Sequence, residues 1–228
     1  NKKFILAADI GSIPEKIYTN DYQAGALSFE IFSNDKKLIS NSGYYPDKKN
    51  KLNKLSKSTA LQNTLSIEDY SSCDFIKTSN NFLIKRGLKV TNKNVVFEKN
   101  YWKISASHNG YFQKFRIDHH REIEFYPEQF KFIGHDKIVR KNPDKQIKFD
   151  IRFHLHPDSK VMKTQNNKFI LIQLEDEGWQ FSCDNYDINI DNGLYFGNKN
   201  SYQENQNIFI SGMNNEGEQI IRWEISKI

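Results

Sequence analysis

Arg152-Phe153-His154-Leu155-His156-Pro157 sets a guanidinium and two imidazoles at every second position, with Asp150 two residues further back. In a strand, residues spaced this way share one face and lie ~7 Å apart. Arg offers a two-pronged fork for a carboxylate or sulfate, and a neighbouring Asp can fix a His tautomer. The row is therefore an anion-binding candidate; the competing reading is a hydrogen-bonded polar face that ends at Pro157. As a metal pair, His154 and His156 lack a third ligand at a recognisable spacing. His108 continues the apolar face of Trp102, Ile104 and Ala106 and then meets Asn109-Gly110, where a turn is expected. It reads as a strand-end histidine satisfied by backbone, with a ligand role as the sharper alternative. In His119-His120-Arg121, successive residues face opposite ways, so at most one of the two histidines can share a site with the surroundings of Arg121. Gly134-His135-Asp136 reads as a turn.

No Gly-rich phosphate loop, Ser-centred nucleophile elbow or Cys/His nucleophile pairing is present, which argues against nucleotide, acyl-transfer and thiol chemistry. The 228 residues carry 33 Lys+Arg against 28 Asp+Glu, a net charge of +5 without a basic helix or a stacked aromatic motif. Nucleic acid is not the expected partner. No run approaches the ~18 apolar residues of a membrane-spanning helix. Cys73 and Cys183 are too few for a disulfide framework or a thiolate metal site, and whether they pair is left open.

The elements that must position these groups are strands. Leu27, Phe29 and Ile31 alternate with Ser28 and Glu30; Trp102, Ile104 and Ala106 with Lys103 and Ser105; Phe149, Ile151, Phe153 and Leu155 with Asp150, Arg152 and His154. Each pattern is that of a strand with one buried face, and no helical apolar spacing competes with it. Roughly 15–20 strands at sandwich spacing are expected, an all-β chain built as a large two-layer antiparallel sandwich over residues 1–228, with a smaller C-terminal sheet allowed from about Pro157. Turns are expected at Asn34-Asp35, Asn109-Gly110, Asn142-Pro143, Asn166-Asn167, Asn192-Gly193 and Glu216-Gly217. One connection, Ser42 to Gln62, is unusually long and begins Gly43-Tyr44-Tyr45-Pro46. Its Lys48, Lys49, Lys51, Lys54 and Lys57 could attract an acidic polymer or form a solvated loop. Because the chain opens at Asn1 without a methionine or a leader, it reads as a piece of a larger protein.

Three ordered segments, Ala24-Gly25-Ala26-Leu27-Ser28-Phe29-Glu30, Leu38-Ile39-Ser40-Asn41-Ser42-Gly43 and Ser58-Thr59-Ala60-Leu61-Gln62-Asn63-Thr64-Leu65, resemble the C-terminal β part of the heparinase II/III-like family. Ala106 to Tyr111, His119 to Arg121, Arg152 to Pro157, Glu177 to Phe181, Ile210 to Gly212 and Trp223 follow in register, so the resemblance covers nearly the whole chain. It implies a two-layer β supersandwich preceded by an α/α toroid that lies outside this chain. It also implies β-elimination on uronic-acid polymers such as heparan sulfate or alginate, in a cleft between the two parts. That reaction needs the carboxylate charge offset, a base for the adjacent proton and an acid for the leaving oxygen. In the family the helical part supplies a Tyr and an Asn or His for these tasks.

The family's β part adds a His-x-His-Ala-Asp motif, an Asp before a Gly, and a His before Asn-Thr-Leu, several of which hold zinc or face substrate. Here those positions are Asp21, Gln23, Gly25, Asn41 and Gln62. The imidazoles are absent, and neutral amides bind zinc weakly, so Gln23, Asn41 and Gln62 make a poor zinc site and no cofactor is expected. The three amides are expected instead to converge and hydrogen-bond one another. Gln23, Tyr44 and Gln62 are the foremost substrate-binding candidates, with His108, Arg152, His154 and His156 behind them; no catalytic residue can be assigned. The expected function is the cleft wall of a polysaccharide lyase that is inactive alone, in a bacterial cell envelope or periplasm. The alternative is a noncatalytic carbohydrate-binding or structural sandwich that has lost the family's His/metal site.

Overall fold

The computed structural model describes residues 3–78, 81–141, 143–197 and 201–228, with the side chain of Lys16 also set aside. Asn142 of the expected Asn142-Pro143 turn lies outside the described residues. Seventeen strands are present among them: β1 (Phe4–Ala8), β2 (Phe29–Ser33), β3 (Lys36–Ile39), β4 (Leu65–Ile67), β5 (Asp74–Lys77), β6 (Phe82–Arg86), β7 (Val90–Phe97), β8 (Trp102–Tyr111), β9 (Ile117–Tyr126), β10 (Lys131–Arg140), β11 (Ile147–His154), β12 (Lys160–Lys163), β13 (Ile170–Leu174), β14 (Glu177–Cys183), β15 (Ile188–Tyr195), β16 (Gln203–Asn214) and β17 (Glu218–Lys227). The helical pieces are short, chiefly α1 (Lys51–Ser56) and α2 (Phe112–Phe115).

One layer is an eight-stranded antiparallel sheet in the order β12-β13-β14-β17-β10-β9-β8-β7. The other combines the sheets β1-β2-β3 and β15-β16-β11-β4, joined where Ile39 bridges Leu155. Alternation explains the division of faces. Along β9, Ile117, His119, Arg121, Ile123 and Phe125 are buried while the residues between them are half-buried. The layers meet through aromatic rings: Phe29 of β2 stacks on Trp223 of β17 at 5.3 Å, Phe153 of β11 meets the same ring edge-on at 4.9 Å, and Phe4 packs 5.0 Å from Phe125. Burial of each such side chain contributes about 1.5–3 kcal/mol.

Several local expectations are corrected by this pairing. The strands after Pro157 form no sheet of their own: β12–β14 and β17 extend the eight-stranded sheet, and β15 and β16 join β11. Gly134-His135-Asp136 is not a turn but the middle of β10, where a Cβ on Gly134 would come 2.0 Å from the Trp223 ring. The glycine is there to admit the indole. Asn109-Gly110 is likewise no turn: β8 continues through a register shift to Tyr111, and the reversal comes at α2, with Arg116 in the left-handed region at φ 59°. Asn192-Gly193 lies inside β15. Asn34, Asn167 and Glu216-Gly217 do fall between paired strands, the first two with φ of 54° and 59°.

Candidate functional site

The three segments that carry the family resemblance meet at one rim of the sandwich. Residues 24–28 precede β2 as buried but irregular backbone, so their carbonyls need partners. The 58–65 segment supplies them: Thr59 Oγ1 donates to Ala24 O at 2.6 Å, Thr64 Oγ1 to Ala26 O at 2.9 Å, and Asn63 Nδ2 to Phe29 O at 2.8 Å. The long connection is thus not loose, since α1 and the following 3-10 turn fold it back onto residues 20–28.

Gln23 Nε2 donates to Gly43 O at 2.9 Å and to Ser56 O at 3.1 Å, and buried Gln62 Nε2 reaches the same Ser56 carbonyl at 3.5 Å. Asn41 Nδ2 donates to Ser28 Oγ at 3.3 Å, while its Oδ1 accepts the Asn63 N–H at 2.7 Å. A Cβ on Gly25 would lie 3.1 Å from both Gln62 Oε1 and Ser28 Oγ, so Gln62 fills the space where the family carries an acid. The amides therefore gather around Gly25 as expected, but none hydrogen-bonds another. Their partners are backbone carbonyls, a backbone N–H and a serine of the irregular segments around them.

Tyr44 stands on this cluster. Its hydroxyl accepts from Asn53 Nδ2 at 3.0 Å and donates to Asp21 Oδ1 at 3.3 Å. Partial burial raises its pKa; the Asn53 amide opposes this and the Asp21 charge adds to it, so the phenol keeps its proton at neutral pH. Below the ring is Lys57, read from sequence as one more loop cation. It is 1% exposed, with Nζ 4.9 Å from the Tyr44 ring centre, 5.6 Å from Phe75 and 5.7 Å from Phe82. Nζ donates to Asn20 O and, at 3.2 Å, to Tyr22 O. Burial pushes its pKa down to about 8, with Asp21 opposing and Lys48 adding to the shift, so the amine is still largely an ammonium at pH 7. The other loop cations differ: Lys49, Lys51 and Lys54 are exposed.

The remaining sequence candidates are elsewhere. His154 is buried behind the loop, Nε2–H donating to Ala60 O at 3.0 Å and Nδ1 3.3 Å from Ser42 Oγ. Burial pushes its pKa down to about 4; the Ala60 carbonyl opposes that and Arg152 adds to it. His156 does not share its face. β11 ends at His154, and His156 pairs with Asp158 at 3.3 Å and packs 5.2 Å from the Tyr195 ring. Arg152 donates to Asn207 Oδ1 at 3.1 Å, lies 3.8 Å from Asp191 and covers the Phe209 ring, so its charge is already answered.

His108 belongs to a second polar cluster, sealed between the layers. Gly110 N–H donates to His108 Nδ1 at 3.0 Å, which leaves the neutral ring's proton on Nε2 to donate to His119 Nδ1 at 3.1 Å. His119 Nε2–H then donates to Asp136 Oδ1 at 2.6 Å. Asp136 also accepts from Arg121 Nε at 2.8 Å and Nη2 at 3.0 Å, and from Trp223 Nε1 at 2.8 Å. Burial alone would raise the Asp136 pKa, but Arg121 and His119 together hold it below the usual carboxylate range. Burial pushes both histidines down; at His108 the neighbouring His119 and Arg121 add to the shift, whereas at His119 Asp136 opposes it and Arg121 adds to it, and both stay neutral. Of His119 and His120, it is His119 that joins Arg121; His120 faces outward, 2.5 Å from Ser107 Oγ. Arg121 Nη1 donates to Leu27 O at 2.8 Å and to Asn63 O, which fixes the backbone next to Gln62 from behind. Asp136 was hidden by the turn-like triplet around it, and Lys57 by its lysine-rich context. The alternation Phe132, Gly134, Asp136, Ile138 was the signal for the first; no local pattern marks the second.

The family model for the heparinase II/III-like C-terminal domain matches residues 1–224. The chain belongs to that family. Among solved structures, this heparinase II/III-like domain is similar to a mutant of the heparan sulfate lyase HepC from Pedobacter heparinus, with a TM-score of 0.78 and 14% identity over 98% of this chain and 33% of that one. It is also similar to heparinase III, with a TM-score of 0.74 and 13% identity over 99% of this chain and 33% of that one. The domain thus spans about a third of the length of these structures, and identities this low establish a shared fold. No curated protein sequence matches it. No described helix is long and apolar enough to cross a membrane.

Proposed function

We propose that this heparinase II/III-like domain forms one wall of the substrate cleft of a polysaccharide lyase acting by β-elimination on a uronic-acid polymer. The observation that carries the reading is the pairing of a protonated Tyr44 hydroxyl with the buried Lys57 ammonium beneath its ring. The phenol can bind a carboxylate or sugar oxygen by turning its O–H away from Asp21, which it reaches only at 3.3 Å. A desolvated positive charge directly behind it adds a field that solvent screens poorly, which favours the anionic uronate and the charge that builds as its proton leaves. Asp21, Asn53, Gln23 and Gln62 hold Tyr44 and its loop in place. The base and the acid for the leaving oxygen are assigned to the rest of the protein, so the chain alone is expected not to turn over substrate. The acting compartment is a bacterial cell envelope, where such polymers are met.

The amides at the family's metal positions do not fit zinc. Gln23 spends its N–H groups on two carbonyls, Asn41 Oδ1 is taken by the Asn63 N–H, and none of the three can supply the imidazole, thiolate or carboxylate that zinc selects. The wall is proposed to work without a metal there. The same departure favours the second reading, a carbohydrate-binding module that has lost catalysis. The test is to assay the full-length protein on uronate polymers for the ultraviolet absorbance of the unsaturated product. Turnover that falls in Tyr44→Phe supports the lyase reading, and a flat panel with the fold intact supports the binding module.

A further inference from the structure

At the Ile147 end of β11 the structure holds a cavity of about 430 Å³ lined by Lys114, Arg116, Arg140, Lys141 and Lys145, with Asp144 as its one acid. His154, against the rim loop, sits at the opposite end of the same strand, about 23 Å away at ~3.3 Å per residue. Five cations against one carboxylate is not typical of this surface. On the eight-stranded sheet the charges are matched in pairs, Lys103 with Glu122, Lys137 with Glu218, Lys131 with Glu224, and Arg222 with Asp184 and Glu224. The cavity is assembled by the turn at α2, the end of β10 and the segment leading into β11. The Lys141 N–H donates to Arg116 O at 3.1 Å, which ties the first two together.

Arg140 is the fixed part of the site. It is 5% exposed; Nη1 donates to Lys145 O and Nη2 to Asp144 Oδ1 at 2.9 Å, while its buried Nε–H has no acceptor among the described residues. A buried donor left unpaired costs about 1–3 kcal/mol, and a guanidinium is shaped to give two parallel bonds to an oxyanion. Asp144 is 79% exposed along its side chain, so it can swing off Arg140 into water.

We infer that this cavity is a second anion site, which takes a sulfate group of an acidic glycan in place of Asp144. Arg140 supplies the directional bonds, with Lys141 and Lys145 as exposed counter-charges. The glycan as the source of the sulfate rests on the proposed function; the oxyanion chemistry does not.

The experiment is calorimetric titration of the full chain with a heparan sulfate oligosaccharide, the same oligosaccharide desulfated, and inorganic sulfate. Lys141→Gln/Lys145→Gln alters only exposed side chains and is expected to weaken the sulfated oligosaccharide about tenfold, and Asp144→Asn to tighten it by about threefold. Lys137→Gln, which removes a cation outside the cavity, leaves this binding in place. Equal binding of the desulfated oligosaccharide, or binding unchanged in the double variant, overturns the inference. Loss on Tyr44→Phe alone overturns it while leaving the cleft reading standing. Inorganic sulfate bound through Lys141 and Lys145 with no oligosaccharide bound overturns the glycan as source and counts against the cleft reading as well.

Discussion

Two polar clusters share this sandwich, and they solve opposite problems. The Asp136 cluster is closed on every side: one carboxylate, one guanidinium, two neutral imidazoles and an indole exchange hydrogen bonds until every partner is used, with formal charges that cancel. The Tyr44 cluster is closed behind and half-buried in front, with a buried ammonium and a hydroxyl whose proton goes to the exposed Asp21 by a long 3.3 Å bond. A network complete in itself can only position something. A network whose surface bond is long and exposed can exchange it for a ligand. The two are joined in series, since Arg121 reaches from Asp136 to the carbonyls of Leu27 and Asn63 and so holds the floor under Gln62.

Removing the hub of the closed cluster should give the largest effect. Asp136→Ala leaves Arg121 buried without its counter-charge, and chemical denaturation is expected to read a loss of about 3–5 kcal/mol. A loss under ~1 kcal/mol would mean that the cluster is not a structural hub. Next is pH. His154, His108 and His119 all have folded pKa values below that of a free imidazole, so the unfolded chain binds more protons as pH drops. Stability is fully present above ~6.5 and is lost as pH falls from there; His154 alone accounts for roughly 3 kcal/mol between pH 6.5 and 4. Asp136, depressed as well but from a lower free value, contributes stability that is fully present above the free carboxylate range and is lost as pH falls below it. Denaturation midpoints that stay flat from pH 7 to 4.5 would contradict the buried neutral imidazoles.

Smaller effects are expected at the rim. Gln62→Ala removes one long hydrogen bond and some packing, and should cost about 1 kcal/mol or less, against the several expected at Asp136. Comparable losses at the two sites would erase the distinction between them. Millimolar zinc should leave the melting temperature unchanged within error; a rise of several degrees would place a metal among the amides after all.

The layered fold was legible because alternation is a local property: β8, β9 and β11 announce their buried faces residue by residue. Asp136 broke that legibility. Its strand carries a glycine and an acid at inward positions where apolar residues are expected; the glycine is explained by the Trp223 ring, and the acid by Trp223, Arg121 and His119, all on other strands. Gln23 and Gln62 were found through the family pattern and Tyr44 through the long connection; the structure brings the two amides to one carbonyl, and Gln23 to Gly43 O next to Tyr44. Lys57 was illegible for a different reason. Nothing in Lys-Leu-Asn-Lys-Leu-Ser-Lys separates it from its neighbours; its burial is made by Tyr44, Phe75 and Phe82, rings contributed from three places in the chain. His156 shows the converse limit, since spacing of two predicts a shared face only as far as the strand continues.

The central claim is that the open cluster, not the closed one, meets the polymer. Its most direct test is kcat/KM of the full-length protein on a uronate polymer for Tyr44→Phe, with thermal unfolding run alongside. The expected result is a fall of about tenfold or more in kcat/KM alongside a stability loss no larger than the Asn53 and Asp21 hydrogen bonds account for, about 0.5–1.5 kcal/mol each. Wild-type turnover in Tyr44→Phe would contradict the account.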